Sequence, residues 1–279
     1  MTKYDFDEIT SRQNTGCLKY DFAVQRGRPA DVLPFWVADM DFPIAREIQE
    51  ALLARCQHAI FGYSESDDAY FAAVHDWYAK HFGWETQQEW LTKTPGVVFA
   101  LAAAVRAFTK PGDSVLINQP VYYPFSEVIK DNKRQLINSP LVLKDGKYSI
   151  DFADLEKKIV EHKVKLYILC SPHNPVGRVW TEEELRRVGE ICLKNSVLVI
   201  SDEIHFDICN VPHSVFTSVD SRFSENAIVC TAASKSFNIA GLSTSNIIIA
   251  NEELRLEFSA QIERDGYSCI NCAAYPATA

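Results

Sequence analysis

The chain has 279 residues, 47% of them hydrophobic, which is ample for a large core and too long for one small module. A formal net charge of -9 argues against a nucleic-acid groove or a polybasic membrane contact, since both need clustered Lys and Arg. No apolar run approaches the roughly 20 residues that span a bilayer, and the first residues lack a signal-peptide core, so a cytoplasmic protein acting on a small soluble substrate is expected.

Apolar residues at three- and four-residue spacing predict helices over 46–58 and 67–82, the second capped by Asp67 or Asp68. From residue 96 the pattern repeats. A helix from Val97 to Phe108 passes through the Lys-Pro-Gly-Asp turn at 110–113 into a buried strand, Ser114 to Asn118. A helix near 124–132, a strand at 135–143, a helix at 151–162, a strand at 164–170, a helix at 181–195 and a strand at 196–202 follow. Two more strands, 226–231 and 244–250, flank a Ser-Lys segment. Such alternation predicts an α/β fold whose mostly parallel sheet is covered by helices on both faces. Ligands collect at the carboxyl ends of strands in these sheets. The polar stretches 171–178, 202–207 and 232–241 each follow a strand, so they are expected to converge.

The eight cysteines (Cys17, Cys56, Cys170, Cys192, Cys209, Cys230, Cys269 and Cys272) are scattered, and several sit in apolar segments. That pattern fits buried reduced thiols better than a disulfide framework. The lone C-x-x-C at Cys269 and Cys272 has no second pair at zinc-site spacing, so no metal site is expected.

Three elements carry candidate chemistry. In Ser-Pro-His-Asn-Pro-Val-Gly-Arg (171–178), two prolines fix the backbone and Gly177 permits a positive φ, which would hold the Asn174 amide on a rigid turn; Asn-Pro is also common in plain turns. In Ser-Asp-Glu-Ile-His (201–205), Asp202 should lie deep at a strand end, where a carboxylate needs a cationic partner. A protonated pyridine nitrogen would serve, and a salt bridge or a helix cap serves equally in isolation. In Ala-Ala-Ser-Lys-Ser-Phe-Asn-Ile-Ala-Gly-Leu (232–242), Lys235 among small residues beyond a buried strand can lose its proton as an imine-forming amine must, although most lysines are solvated surface charges.

Asn174, Asp202 and Lys235, in this order and context, resemble the signature of the aminotransferase class I/II family of pyridoxal-phosphate enzymes. Pro-Phe-Trp-Val-Ala-Asp-Met-Asp-Phe-Pro (34–43), Phe-Gly-Tyr (61–63), Thr-Pro-Gly-Val-Val (94–98) and the three elements above resemble its MalY/PatB-type cystathionine beta-lyase branch. The resemblance implies that pyridoxal 5'-phosphate is the cofactor, held by Lys235 as a Schiff base, and that Lys235 later removes the substrate Cα proton. Asp202 would keep the pyridine nitrogen protonated, Asn174 would bond the ring's phenolic oxygen, and Tyr122 would stack on the ring. The Val97 and Val98 amides with Ser234 would meet the phosphate, at a helix N-terminus opened by Gly96. His205 stands where transaminases usually carry tyrosine. Tyr123 and Val37 would contact substrate, and Tyr63 would reach the cofactor phosphate of a second copy, which makes a homodimer expected.

Two departures qualify the likeness. Ser243 occupies the position where many transaminases have a phosphate-binding arginine, which suits the lyase branch. The chain ends at Ala-Tyr-Pro-Ala-Thr-Ala, where family members continue, so residues 1–45 are expected to form part of a small domain that is otherwise absent, and residues 46–279 the large cofactor-binding domain. No residue takes the place of the substrate-carboxylate arginine. The implied activity is α,β-elimination from cystathionine or cysteine S-conjugates to pyruvate, ammonia and a thiol; a transaminase and a catalytically impaired regulatory protein are the alternatives.

Overall fold

The computed structural model describes residues 4–279, so the first three residues of the 1–45 segment lie outside the described residues. In chain order the regular elements are α1 (Arg46–His58), α2 (Asp68–Phe82), β1 (Leu91–Thr94), α3 (Val97–Phe108), β2 (Ser114–Ile117), α4 (Pro124–Asp131), β3 (Gln135–Asn138), β4 (Val142–Lys144) and β5 (Lys147–Ser149). They continue with α5 (Phe152–Glu161), β6 (Leu166–Cys170), α6 (Glu182–Lys194), β7 (Leu198–Asp202), α7 (Phe216–Val219), β8 (Ala227–Thr231), α8 (Ala233–Ser236), β9 (Ser245–Ile248), α9 (Glu252–Arg264) and α10 (Ala274–Thr278).

Local sequence explains most of these boundaries. Asp67 caps α2 by accepting from the Tyr70 N–H, and Thr181 with Glu184 forms a reciprocal capping box at the start of α6. Asp151 caps α5 through the Ala153 and Asp154 amides. The strands β2, β6, β7 and β8 are buried along their whole length, as a sheet covered on both faces requires.

Seven strands form one sheet in the order β1-β9-β8-β7-β6-β2-β3. Pairing is parallel from β8 through β7, β6 and β2 to β3, and antiparallel at β8–β9 and β9–β1. Only β9 is therefore reversed. One face is packed by α3, α4 and α9 through residues such as Leu101, Phe125, Ile129 and Phe258, the other by α5, α6 and α7 through Leu155, Leu185, Val188 and Phe216. Each fully buried leucine, isoleucine or phenylalanine contributes about 1.5–3 kcal/mol over its exposed state.

The α/β architecture and the mostly parallel sheet match the expectation, and several details differ. The strand expected at 135–143 breaks after Asn138, because the Ser139-Pro140 pair leaves the sheet and the chain then forms the separate β4–β5 hairpin, turning through Asp145 (φ 50°) and Gly146 (φ 75°). The edge strand β1 and the helices α9 and α10 had no counterpart in the sequence reading. All eight cysteines are free; Cys17, Cys170, Cys192 and Cys230 are buried, whereas Cys56 is exposed and the other three are half-buried, so burial holds for half of them. No helix among the described residues is long and apolar enough to cross a membrane.

Gly189 is the one glycine at which an added Cβ would meet a neighbour within 4 Å. A Cβ there would lie 2.2 Å from the Phe223 ring, which is fully buried and stacked on Phe216 at 5.1 Å. The ring cannot swing away. Gly189→Ala is expected to destabilise the chain by about 1–3 kcal/mol through overpacking, despite alanine's better helix propensity, and urea titration would read this as a lower midpoint; an unchanged or raised midpoint would show that the α6 packing yields.

Candidate active site

Because only β9 runs backwards, the carboxyl ends of β1, β2, β6, β7 and β8 open on one edge of the sheet. The segments that leave these ends carry nearly every residue singled out in the sequence. The expected convergence of 171–178, 202–207 and 232–241 follows from this geometry.

Asp202 ends β7. Its register partners are Cys170 on β6 and Cys230 on β8, so a thiol, a carboxyl and a second thiol form a row across three strands. Directly paired residues share one face of a sheet. Asp202 is 5% exposed, and its carboxylate accepts the Ile204 N–H at 3.2 Å. No salt bridge reaches it among the described residues. Burial pushes its pKa up to about 7; the Ile204 N–H opposes this, the neighbouring Glu203 adds to it, and the Lys235 charge opposes it.

Lys235 lies on α8, directly beyond β8. Burial lowers the pKa of its amine, against the opposing pull of the Asp39 and Asp202 carboxylates. His205 is half-buried and is pushed down by burial and then by the Lys235 charge. Asp202 and His205 thus each lie within electrostatic reach of Lys235. Next to the lysine, the Ser236 hydroxyl donates to Asp207, whose other oxygen accepts the Trp77 indole N–H at 2.9 Å. These bonds tie α8 to α2 and to the segment after β7.

Asn174 and Tyr122 are stitched together through their backbones: the Tyr122 N–H donates to the Asn174 carbonyl at 3.0 Å, and the Asn174 N–H donates to Cys170 Sγ at 3.4 Å. Gly177 takes the expected positive φ of 67°, and the turn closes with the His173 N–H on the Arg178 carbonyl at 2.7 Å. Tyr122 and Tyr123 pack edge to face at 5.3 Å, with Tyr123 the more exposed. At the end of β1, Gly96 has φ 150° and caps α3, whose first residues are the buried Val97 and the partly exposed Val98. The first N–H groups of a helix have no partner within it, which makes that end an anion site. Ser234 precedes the lysine on α8.

Two predicted residues take no part in these hydrogen bonds. Tyr63 is 98% exposed, and no hydrogen bond or ion pair joins it to the cluster among the described residues. Val37 has φ 67°, a left-handed backbone that β-branched residues rarely adopt.

Other functional candidates escaped the sequence reading. Glu203 and His213 form a buried pair at 2.7 Å, and Glu203 also accepts from Ser201 Oγ and the Phe216 N–H. This pins the loop that carries His205 and Asp207. Asp39 and Asn238 reach the lysine region from the N-terminal segment and from the end of the lysine motif; the sequence signal was their presence inside motifs used for other residues.

The donor set suits a phosphorylated, protonated heteroaromatic aldehyde: a buried carboxyl without a cation, an amine of lowered basicity beside it, and a helix N-terminus on the same edge. Comparison with known proteins agrees. Residues 31–279 match the family described as aminotransferase class I and II. The chain is 44% identical over 275 residues to cystathionine beta-lyase PatB of Bacillus subtilis, covering 98% of this chain and 71% of that protein. It is 33% identical over 278 residues to protein MalY of Escherichia coli, covering 98% and 70%. The crystal structure of cystalysin from Treponema denticola, which contains a pyridoxal 5'-phosphate cofactor, superposes with a TM-score of 0.91 at 41% identity, covering 99% of this chain and 72% of that one. With its sheet, its site geometry and these likenesses in accord, the chain belongs to the aminotransferase class I and II family.

Proposed function

We propose that this chain is a pyridoxal-phosphate-dependent carbon–sulfur lyase that acts on cystathionine or related cysteine S-conjugates. The observation that carries the reading is Asp202, a buried carboxyl with no cationic partner among the described residues and in electrostatic reach of Lys235. Pyridoxal 5'-phosphate, when bound, supplies the electron sink that acidifies the substrate Cα–H.

This chain's residues do the rest. Asp202 would keep a proton on the ring nitrogen, Asn174 would donate to the ring's phenolic oxygen, and Tyr122 would cover the ring. The Val97 and Val98 amides and the Ser234 hydroxyl hold the phosphate, and His205 lines the site beside the lysine. Lys235 would hold the cofactor, and its amine, of lowered basicity, would be the group that accepts the proton from the substrate Cα. The Cβ–S bond breaks with its electron pair leaving on sulfur as a thiolate, and hydrolysis of the remaining enamine gives pyruvate and ammonia. Val37 and Tyr123 face the substrate.

The extreme exposure of Tyr63 supports a homodimer in which it reaches the phosphate of the second copy. We place residues 1–45 with the small domain and the substrate entrance, residues 46–279 in the large domain, and the protein in the cytoplasm.

With added pyridoxal 5'-phosphate and cystathionine, the chain is expected to release pyruvate and homocysteine in equal amounts without any keto acid. Turnover that starts only when a keto acid is supplied would replace this reading with transamination. Failure to take up the cofactor would remove both.

A further inference from the structure

Asp39, Met40 and Asp41 have no individual task in the reading above, although Asn238 joins them to the lysine segment. We infer that Asn238 and Asp39 are positioning residues: Asn238 clamps the strap 37–42 onto the lysine segment, and the strap holds Asp39 as a fixed counter-charge for Lys235. The inference rests on Lys235 being the cofactor lysine.

The clamp is complete in its hydrogen bonds. Asn238 Oδ1 accepts the Met40 N–H at 3.0 Å, while its amide nitrogen donates to the Met40 and Phe42 carbonyls at 3.1 and 2.8 Å. One side chain therefore satisfies three backbone groups of the strap. Asn238 has φ 56°, a left-handed turn that asparagine tolerates better than most residues and that directs the chain away from α8 three residues after Lys235.

The strap is held from its other side by charge. Arg12 bonds Asp39 and Asp41, each at 2.8 Å, and the Met40 carbonyl at 3.2 Å. Lys19, only 4% exposed, donates to the Asp39 carbonyl at 2.8 Å and pairs with the carboxylates of Asp39 and Asp41 at 3.1 and 3.2 Å. The two cations balance the two anions. Burial acts to raise the Asp39 pKa, but the bonds and charges of Arg12 and Lys19 prevail and hold it below the usual carboxylate range. Asp39 thus stays charged while in electrostatic reach of Lys235. The left-handed backbone of Val37 at the head of the strap is strained and persists only where the surroundings over-determine it. Polar contacts to each of Asp39, Met40 and Asp41 provide that constraint.

The groups that face Lys235 are Asp202 from β7, His205 from the loop after it, and Asp39 from the strap; Arg12, Lys19 and Asp41 face Asp39 itself, and Tyr20 lies beyond Asp41. An anion near an amine favours its charged form. Losing Asp39, or letting it drift, therefore makes the amine easier to deprotonate.

Two readouts test this. The first is hydrogen exchange of the peptide that contains Met40. The second is the pH midpoint for covalent uptake of pyridoxal 5'-phosphate by Lys235, followed by absorbance. Asn238→Gly keeps the left-handed turn and removes the amide; it is expected to speed exchange of the Met40 peptide at least tenfold and to move the midpoint to lower pH. Asp39→Asn removes the charge but not the clamp, so it should move the midpoint down by on the order of half a unit with a far smaller change in exchange. Should Asn238→Gly fail to fold by circular dichroism, Asn238→Asp, which keeps the acceptor and loses both donated bonds, carries the exchange comparison alone, since its added charge acts on the amine itself, and the midpoint is then read from Asp39→Asn. Covalent uptake with a parental midpoint in both variants overturns the inference and leaves the lysine assignment standing, whereas a parent chain that never takes up cofactor covalently overturns both.

Discussion

Lys235→Ala is expected to leave the chain folded, abolish covalent retention of pyridoxal 5'-phosphate and reduce pyruvate formation by at least ~10²–10⁴-fold, the range typical for losing a proton-transfer group. Folding should survive because α8 is fixed by bonds that do not use this side chain. The Phe237 N–H reaches the Ala233 carbonyl at 2.9 Å, the Ile239 N–H reaches the Ser234 carbonyl at 3.1 Å, and Ser236 is tied to Asp207. Borohydride reduction followed by mass analysis should find the cofactor on the peptide containing Lys235 in the parent and nowhere in the variant. A variant that keeps parental turnover would refute the role of Lys235.

Asp202→Asn is expected to act in opposite directions on the cofactor-free and the loaded protein. Without cofactor the Asp202 carboxyl has a pKa of about 7, against an ordinary value of 3.8, because burial disfavours its charged form. Between these two values the folded chain holds a proton that the unfolded chain has released. Stability contributed by this group is therefore present at low pH and lost as pH rises through the window, a deficit of about 4 kcal/mol once it is complete. Asparagine cannot ionise. The variant should melt several degrees above the parent at pH 8 and close to it at pH 4, since one kcal/mol corresponds to about 2–4 °C in a chain of this size. With cofactor the order reverses: a carboxylate about 4 Å from a protonated ring nitrogen is worth on the order of 4 kcal/mol at an effective dielectric of 20, so the variant should bind cofactor ~10²–10³-fold more weakly. Melting curves at the two pH values and a cofactor titration measure both effects. Parallel pH dependence in parent and variant would show that Asp202 is already charged and partnered.

The sheet was legible because its central strands are short apolar runs such as Leu166–Cys170 and Leu198–Asp202, and buried parallel strands have no polar face to confuse the pattern. The edge was not. Leu-Thr-Lys-Thr in β1 is mostly half-buried and polar enough to pass for a loop. Helix α9 buries only Phe258, Gln261 and Ile262, too thin a stripe to stand out among its charges. At the site, Asn174, Asp202 and Lys235 could be read because each follows its own strand, and strand ends are where such sheets assemble ligands. The Met40–Asn238 bond joins residues 198 apart, and no local pattern announces a contact of that range. The Glu203–His213 pair was hidden for a different reason: burial decides whether such residues are surface charges, and burial is a property of the finished fold.

Reversal of β9 shapes the lysine segment in a further way. Parallel neighbours must be joined by a crossover that carries the chain to the far end of the sheet and back, whereas β8 and β9 both meet the segment 232–244 at the same edge, side by side and about 4.8 Å apart. Lys235 is strung between two adjacent fixed posts. Such a tether leaves it few places to go when its partner is missing, so little freedom remains to be lost on capture, and a residue inserted between Asn238 and Thr244 would lengthen the slack without unmooring either post.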